Sequence, residues 1–500
     1  MSVAEYDYIV IGGGSAGCVL AARLAESDGA PEVLLIEAGP EGRGVAEITE
    51  PALWPSLTKT SLDWGYDYAP SPHTGNRVIP LPRGKVLGGT SAINAMNWYR
   101  GHAADYDAWG PEWDYQALLP CFRRSEDWEG GETAQRGAGG PLRITQPPTP
   151  HPVASGLLNA AAELGFKRLD DANEADAEGA ALANLNVSGG YRHSVVDGYL
   201  ADPPENLTIL TGSVATRLGF TGDRCDSVFH IAGGTLTQTR ARREVICALG
   251  AIGTPLLLLR SGIGDPGDLA RLDVKTRSAL AGVGRNLQDH PLVAGPHFRL
   301  KRRLGLVRDN ASGAILNWRS AGADRPDLHA MVIQGKLGSG LGATGDIFAI
   351  APGLMGPKSS GYLRVHSGGV EIQPNFLAEA DDVAALAEAV DTVMDLAGTS
   401  AYRELIDGPV APPWRLSRDD AKTFVRENCS SFFHPCGTAA MGDAPEDGAV
   451  VDRALRVFGV SGLRVADASV IPVIPHCNIQ APVVAIAERA ADLVTGARIG

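Results

Sequence analysis

Tyr8-Ile-Val-Ile11 is an unbroken apolar run, the pattern of a strand buried on both faces of a parallel sheet. A glycine-rich turn, Gly12-Gly-Gly14-Ser15-Ala16-Gly17, leads into Cys18 to Ser27, where Val19, Leu20, Arg23 and Leu24 suit a helix. A second apolar run, Val33-Leu-Leu-Ile36, ends on Glu37. The buried-strand pattern returns at Glu244 to Ala248, and Gly250 to Gly264 predicts a helix with Pro255 in its first turn. Asn206 to Arg217 reads as strand, glycine turn, strand, and Val228 to Gln238 alternates around Gly233-Gly234 as a hairpin does. From Leu300 to Ala380 the runs Leu328 to Ile333, Asp346 to Ala351 and Gly361 to His366 are strand-like and separated by glycine-rich turns. Helices are expected at Asp105 to Arg124 (a pair), Val153 to Leu164, around His193 to Asp197, and at Asp382 to Leu396. A final helix should run from Val483 to Thr495, started by Pro482. Gly39 to Pro82 has no period and predicts a long surface excursion, and Glu129 to Pro150 a loop.

Strand, Gly-x-Gly-x-x-Gly, helix, strand and acid within about 30 residues form the dinucleotide-binding fingerprint in its proper context. Gly12 permits the tight turn, Gly14 lets backbone approach a pyrophosphate, and Gly17 lets helix and strand pack closely. The helix N-terminus would hold the pyrophosphate. Glu37 would accept from ribose hydroxyls. The block of antiparallel-type strands suggests a second, substrate-side domain. The α/β pattern resumes at the C-terminus, so the expected fold class is α/β. A doubly wound, Rossmann-like domain is built from discontinuous segments, 1–150, 200–297 and 433–500. A domain with a mainly antiparallel sheet flanked by helices takes 151–199 and 298–432.

The chain has 500 residues, with 44% apolar and 20% charged positions, ordinary for a soluble globular protein. A formal net charge of −14 argues against a nucleic-acid binder. Seven scattered cysteines without a Cys-x-x-Cys read as reduced thiols of a cytoplasmic protein. The first residues carry no basic n-region, and no apolar run approaches the ~20 residues of a membrane span.

Candidate chemistry concentrates between Ser430 and Pro482, which holds His434, Cys436, Asp467, His476, Cys477 and Asn478 among tight glycine and proline turns. His434 and Asn478 are the expected reacting pair. Imidazole titrates near working pH and can take a proton, whereas the amide offers a donor that fixes orientation. The four His and Cys residues have the types of a zinc site, but His-x-Cys and adjacent His-Cys lack its spacing, so no metal is expected. A second glycine-rich loop, Gly84 to Asn94, would grip a long cofactor at another point. His290, in Gly282 to Pro291, reads as a loop histidine making structural hydrogen bonds, with a catalytic role as the alternative.

The fingerprint, the Gly84 to Asn94 loop, Gly250 to Gly264, Gly282 to Pro291 and both C-terminal motifs occur in an order that resembles the glucose-methanol-choline flavoprotein oxidoreductases. The resemblance runs from Tyr8 to Val494. It implies FAD in a doubly wound domain, an antiparallel substrate domain over the flavin ring, and alcohol oxidation by hydride transfer to flavin N5. His434 matches the family's catalytic histidine, and Asn478 its partner position. Cofactor contacts carried over are Gly12, Gly14, Ser15, Ala16, Gly17, Glu37, Ala38, Arg83, Leu87, Gly88, Gly89, Asn94, Ala95, Val214, Asp467, Ala468, Asn478 and Ile479. Some members attach FAD through a histidine in the second glycine-rich loop. Ile93 stands there, so the FAD is expected to be non-covalent.

Trp98, Met355, Phe432 and Phe433 are the expected substrate-cavity walls. The implied activity is oxidation of a small primary alcohol, with aromatic or furanic alcohols as the first expectation, to an aldehyde, with oxygen or another electron acceptor. The alternatives are a cyanohydrin-cleaving lyase that keeps FAD as structure, and a flavoprotein without turnover. The positive end of the final helix suits negative charge on the flavin ring.

Overall fold

The computed structural model describes all residues except 1–3, 175–176, 306–308, 335–345, 367–368 and 498–500. Two large sheets organise the chain. The first has the order Leu207–Leu210, Val33–Ile36, Ala4–Ile11, Thr235–Cys247, Arg224–Ala232, Ser213–Thr221, with Leu463–Val465 added beside Thr235–Cys247. Its inner strands are parallel: Ile9 faces Leu34 on one side and Val245 on the other. Ile9, Val10, Ile11, Val33, Leu35 and Val245 are wholly buried, the burial on both faces that an unbroken apolar run demands. The helices Ser15–Ala25 and Gln480–Thr495 pack against each other beside this sheet. Arg23 of one pairs with the buried Glu488 of the other at 2.9 Å. Strands from three stretches of sequence thus share one Rossmann-like sheet.

Gly233 and Gly234 both take positive φ, 55° and 80°, as a two-residue hairpin turn requires, and join Arg224–Ala232 to Thr235–Cys247. The strands Leu207–Leu210 and Ser213–Thr221, in contrast, flank Gly212 but do not pair with one another. They sit at opposite edges of the sheet.

The second sheet is antiparallel, in the order Ile406–Ala411, His297–Leu300, Ile347–Leu354, Leu328–Ile333, Ala314–Trp318, Gly179–Leu182. Pro291–Val293 joins Ile347–Leu354 to Cys429–Ser431. Helices Pro152–Glu163 and Ala380–Gly398 pack on it. The turn after Leu328–Ile333 lies outside the described residues. Tyr362–His366 is not part of this sheet but pairs with Gly369–Gln373 as a separate hairpin.

Three expectations need correction. Pro255 stands inside helix Gly250–Arg260 rather than in its first turn. Proline cannot donate to the carbonyl four residues back, and that carbonyl, of Ala251, accepts the Thr438 hydroxyl at 2.6 Å instead. The last helix begins at Gln480, so Pro482 lies within its first turn, where N–H groups have no helical acceptor in any case. The 39–82 stretch is not a mere surface excursion. Tyr68 and Leu81 are buried, and Trp54, Tyr66 and the more exposed Trp64 line the main cavity. The Trp54 indole is tied to the Asn310 carbonyl at 2.9 Å.

No helix among the described residues is long and apolar enough to cross a membrane. All seven cysteines are buried and unbridged.

Candidate active site

A cavity of about 360 Å³ runs between the two sheets. One end is the glycine fingerprint. A Cβ on Gly17 would stand 1.8 Å from the Gly12 carbonyl oxygen, and one on Gly12 would stand 2.6 Å from that of Ala248, so both glycines are needed for packing. Gly14 differs: a Cβ there would meet nothing nearer than the Gly89 Cα at 4.0 Å, which leaves this position open to the cavity. Glu37 lines this end and is held by Gly13 N–H (2.9 Å) and Gly39 N–H (2.7 Å). Burial nevertheless pushes its pKa up to about 6. Ser15, at the start of one helix, donates to Gln480 at the start of another, so two helix N-termini point into one space. These features fit an elongated dianionic cofactor such as FAD.

Of the sequence-derived cofactor contacts, Gly12, Gly14, Ser15, Ala16, Glu37, Ala38, Arg83, Gly89, Asn94, Ala95, Val214, Asp467, Ala468, Asn478 and Ile479 all line the cavity. Gly17, Leu87 and Gly88 lie behind that wall. Asp467 is engaged by protein donors: Gly250 N–H at 2.9 Å, the Thr254 hydroxyl at 2.6 Å and Ser469 N–H at 2.7 Å. Its carboxylate thereby caps helix Gly250–Arg260 while the residue lines the cavity.

At the other end the structure brings His434 and Asn478 together. Asn478 Nδ2 is 3.1 Å from His434 Nε2, and His434 Nδ1 is 2.9 Å from His290 Nδ1. The Phe432 ring stacks parallel to the His434 ring at 5.7 Å. Since the amide donates to Nε2, the lone pair is on Nε2 and the proton on Nδ1, facing His290 as acceptor. Burial first, then His290 and Arg83, hold the His434 pKa well below the ordinary imidazole value. Burial likewise lowers that of His290 to about 3. A neutral imidazole beside a fixed amide donor can accept a proton from a hydroxyl and hold its oxygen.

The support for this pair was not read from the sequence. Asp289 Oδ1 accepts the backbone N–H of both His290 (2.7 Å) and His434 (2.8 Å). Its Oδ2 accepts the hydroxyls of Tyr68 and Ser431, each at 2.5 Å. One buried carboxylate therefore registers two loops 144 residues apart. Phe433 carries a positive φ of 66°, unusual for a bulky residue, and is held there by Ser431 Oγ on its N–H and by Arg83 on its carbonyl. The Asn478 loop is tied by Asp105, which takes His476 N–H at 3.0 Å and His476 Nδ1 at 2.5 Å.

Phe432 and Phe433 line the main cavity, but Trp98 and Met355 do not. Trp98 is wholly buried in the core, its indole donating to Glu126 at 3.0 Å. A buried indole N–H needs an acceptor, and the acceptor lies on the side away from the cavity. Met355 lines a small neighbouring pocket. The walls the sequence did not mark are Leu292, Met331 and Ile333. Among the described residues no group of histidine, cysteine and carboxylate side chains could hold a metal.

Comparison with known proteins fits this geometry. Family models described as GMC oxidoreductase match residues 6–292 and 357–487. The chain is 34% identical to an oxygen-dependent choline dehydrogenase of Brucella canis, over 98% of this chain and 96% of that protein. It is 33% identical to the mitochondrial choline dehydrogenase of Mus musculus, over 98% and 90%. The solved pyridoxine 4-oxidase from Mesorbium loti superposes with a TM-score of 0.92 at 32% identity, covering 97% of this chain and 98% of that one. The chain belongs to the GMC oxidoreductase family, an oxidoreductase acting on CH–OH groups with non-covalent FAD as its cofactor.

Proposed function

We propose that the protein oxidises a primary alcohol to its aldehyde, with His434 taking the hydroxyl proton and Asn478 holding the hydroxyl oxygen. FAD, when bound, supplies the hydride acceptor at N5 of its ring. The contact of His434 Nε2 with Asn478 Nδ2 on the cavity wall carries this reading. Hydride leaves carbon readily only as negative charge builds on the adjacent oxygen, so a base at the hydroxyl sets the rate. A hydroxyl entering between the two side chains donates to Nε2 and accepts from the amide. The lowered His434 pKa keeps that nitrogen unprotonated at neutral pH. The amide does not titrate, so it orients the oxygen at any pH.

The walls favour an uncharged, aromatic alcohol. The carboxylates on the cavity, among the described residues, are Glu37 and Asp467, both engaged by backbone donors. The His434 end is lined by Leu292, Met331, Ile333 and Phe432, with the Arg83 guanidinium adding positive charge. A trimethylammonium headgroup would find no carboxylate there, whereas a ring would stack on Phe432. The relatives named for choline therefore support the reaction type more than the substrate. Seven buried, unbridged cysteines support a reducing, cytoplasmic setting.

The test is anaerobic mixing of the yellow holoprotein with a panel of alcohols while following the flavin band near ~450 nm. Bleaching by benzylic or furanic alcohols, and not by choline, is expected. No bleaching with any alcohol refutes the reading, and aldehyde release from cyanohydrins without bleaching favours a lyase. Admitting air then separates an oxidase from a dehydrogenase by the speed of reoxidation.

A further inference from the structure

We propose that His329 Nε2, in a small pocket beside Asn478, accepts a hydrogen bond from a second polar group at the far end of the alcohol. The proposal rests on the alcohol-oxidation reading above and names the substrate class more narrowly. The substrate is an aromatic primary alcohol that also carries a hydroxyl or N–H donor.

His329 lies on strand Leu328–Ile333, where residues two apart share a face. Met331 and Ile333 line the main cavity, so His329 extends that face toward Asn478. The Phe432 ring meets its imidazole edge-on at 5.7 Å. The small pocket has a volume of about 20 Å³ and is bounded by Asn317, His329, Met355, His476 and Cys477, with Asn478 common to it and the main cavity. That is room for one water-sized group.

The tautomer follows from the neighbours. Asn317 Nδ2 donates to the Ala177 carbonyl at 3.3 Å, so Asn317 Oδ1 faces His329 Nδ1 at 2.7 Å. Nδ1 therefore carries the proton and Nε2 the lone pair. Nε2 is buried, on a residue 3% exposed, and has no partner among the described residues. A buried acceptor without a donor is costly, and a donor arriving with the substrate removes that cost. Burial lowers the His329 pKa to about 4, so the acceptor stays neutral through the working range.

The experiment compares kcat/KM for flavin reduction by terephthalyl alcohol, para-methylbenzyl alcohol and the monomethyl ether of terephthalyl alcohol. They share a benzyl alcohol core and carry at the far end a hydroxyl that donates and accepts, a methyl group that does neither, or an ether oxygen that only accepts. The wild-type protein should prefer the diol over the methyl compound by about 10–100-fold, and His329→Leu should bring that ratio to within about 3-fold. Asn317→Asp supplies an independent variant with the imidazole retained. Its carboxylate favours imidazolium and turns Nε2 into a donor, from which the diol hydroxyl and the ether oxygen can both accept, so the diol's advantage over the methyl ether should fall while its advantage over the methyl compound remains. Equal wild-type rates with the three alcohols overturn this pocket's role and leave the oxidation reading standing. A diol preference over the methyl compound that survives in His329→Leu does the same, and so does an unchanged diol-to-ether ratio in Asn317→Asp. Bleaching by none of them overturns the oxidation reading and this proposal with it.

Discussion

Replacing His434 with glutamine keeps a polar side chain of similar reach beside Asn478 and removes the proposed base. Loss of a positioned general base costs about 10²–10⁴ in rate, and the surroundings place this case in the upper part of that range. His434 is 8% exposed and closed in by Phe432 and His290, so bulk water is a poor substitute. Asn478 cannot take a proton. His290 offers no second base at that edge, because its Nδ1 is turned to His434 Nδ1 and the ring lies on the far side. A fall of about 10³–10⁴ in the anaerobic flavin-reduction rate is expected, equivalent to about 4–5.5 kcal/mol of transition-state stabilisation. FAD should remain at native stoichiometry, since the fingerprint end of the cavity is untouched. The wild-type pH profile is the second readout. A base must be unprotonated to act, and this one is held neutral by burial. The acid limb of kcat/KM should therefore lie well below the ordinary imidazole value near 6.5, with no loss of rate between pH 8 and 6.5. A variant rate within about tenfold of wild type, or a wild-type acid limb at or above pH 6.5, would refute the assignment.

Asp289→Asn should lower stability by about 2–3 kcal/mol, because two of four charge-assisted acceptor bonds are lost and the amide's N–H₂ faces the Tyr68 and Ser431 hydroxyls. Urea midpoints and the flavin-reduction rate should fall together, and an unchanged midpoint would deny Asp289 its role in joining the loops. The two fingerprint glycines should separate by readout. Gly17→Ala drives a Cβ to within 1.8 Å of the Gly12 carbonyl oxygen and should destabilise the apoprotein by about 1–3 kcal/mol. Gly14→Ala meets nothing closer than 4.0 Å and should leave the apoprotein's melting temperature alone while weakening FAD binding, as measured by flavin titration. Equal effects of the two substitutions on the apoprotein would show that the turn is not packed as described.

Periodicity was a good guide where one physical rule acts locally. The unbroken runs at Tyr8 to Ile11 and Val33 to Ile36 are strands buried on both faces, and the Gly233-Gly234 turn closes a hairpin. It failed where a distant group supplies what a local rule lacks. Pro255 is tolerated inside its helix because Thr438 satisfies the carbonyl that proline leaves free, and nothing near Pro255 in sequence records that. Trp98, expected on the cavity wall, instead sends its indole to the buried Glu126, 28 residues away. His434 and Asn478 were legible as a pair, 44 residues apart, because motifs surround both. Asp289 and Tyr68 were not, since a lone aspartate and a lone tyrosine carry no signal until the fold sets them 2.5 Å apart.

The position of Asp289 also accounts for how a buried carboxylate can stand so near the proposed base without spoiling it. Had its oxygens bonded the His434 ring, the opposite charge would have favoured imidazolium and raised the pKa, and the lone pair would have been occupied by a proton before any alcohol arrived. Instead Asp289 bonds the backbone N–H of His434 and His290 and leaves both rings to each other. The ring of His434 then meets a neutral neighbour, His290, in surroundings that oppose charge on either. Burial acts in opposite senses on the two kinds of group, pushing the carboxyl of Asp289 up and the imidazole of His434 down. The carboxylate keeps its charge through four donors; the imidazole, given no charged partner, keeps its lone pair. Anchoring through backbone thus fixes the proposed base in space while leaving its basicity to be set by burial and by His290, and that separation of position from protonation lets one loop pair do both.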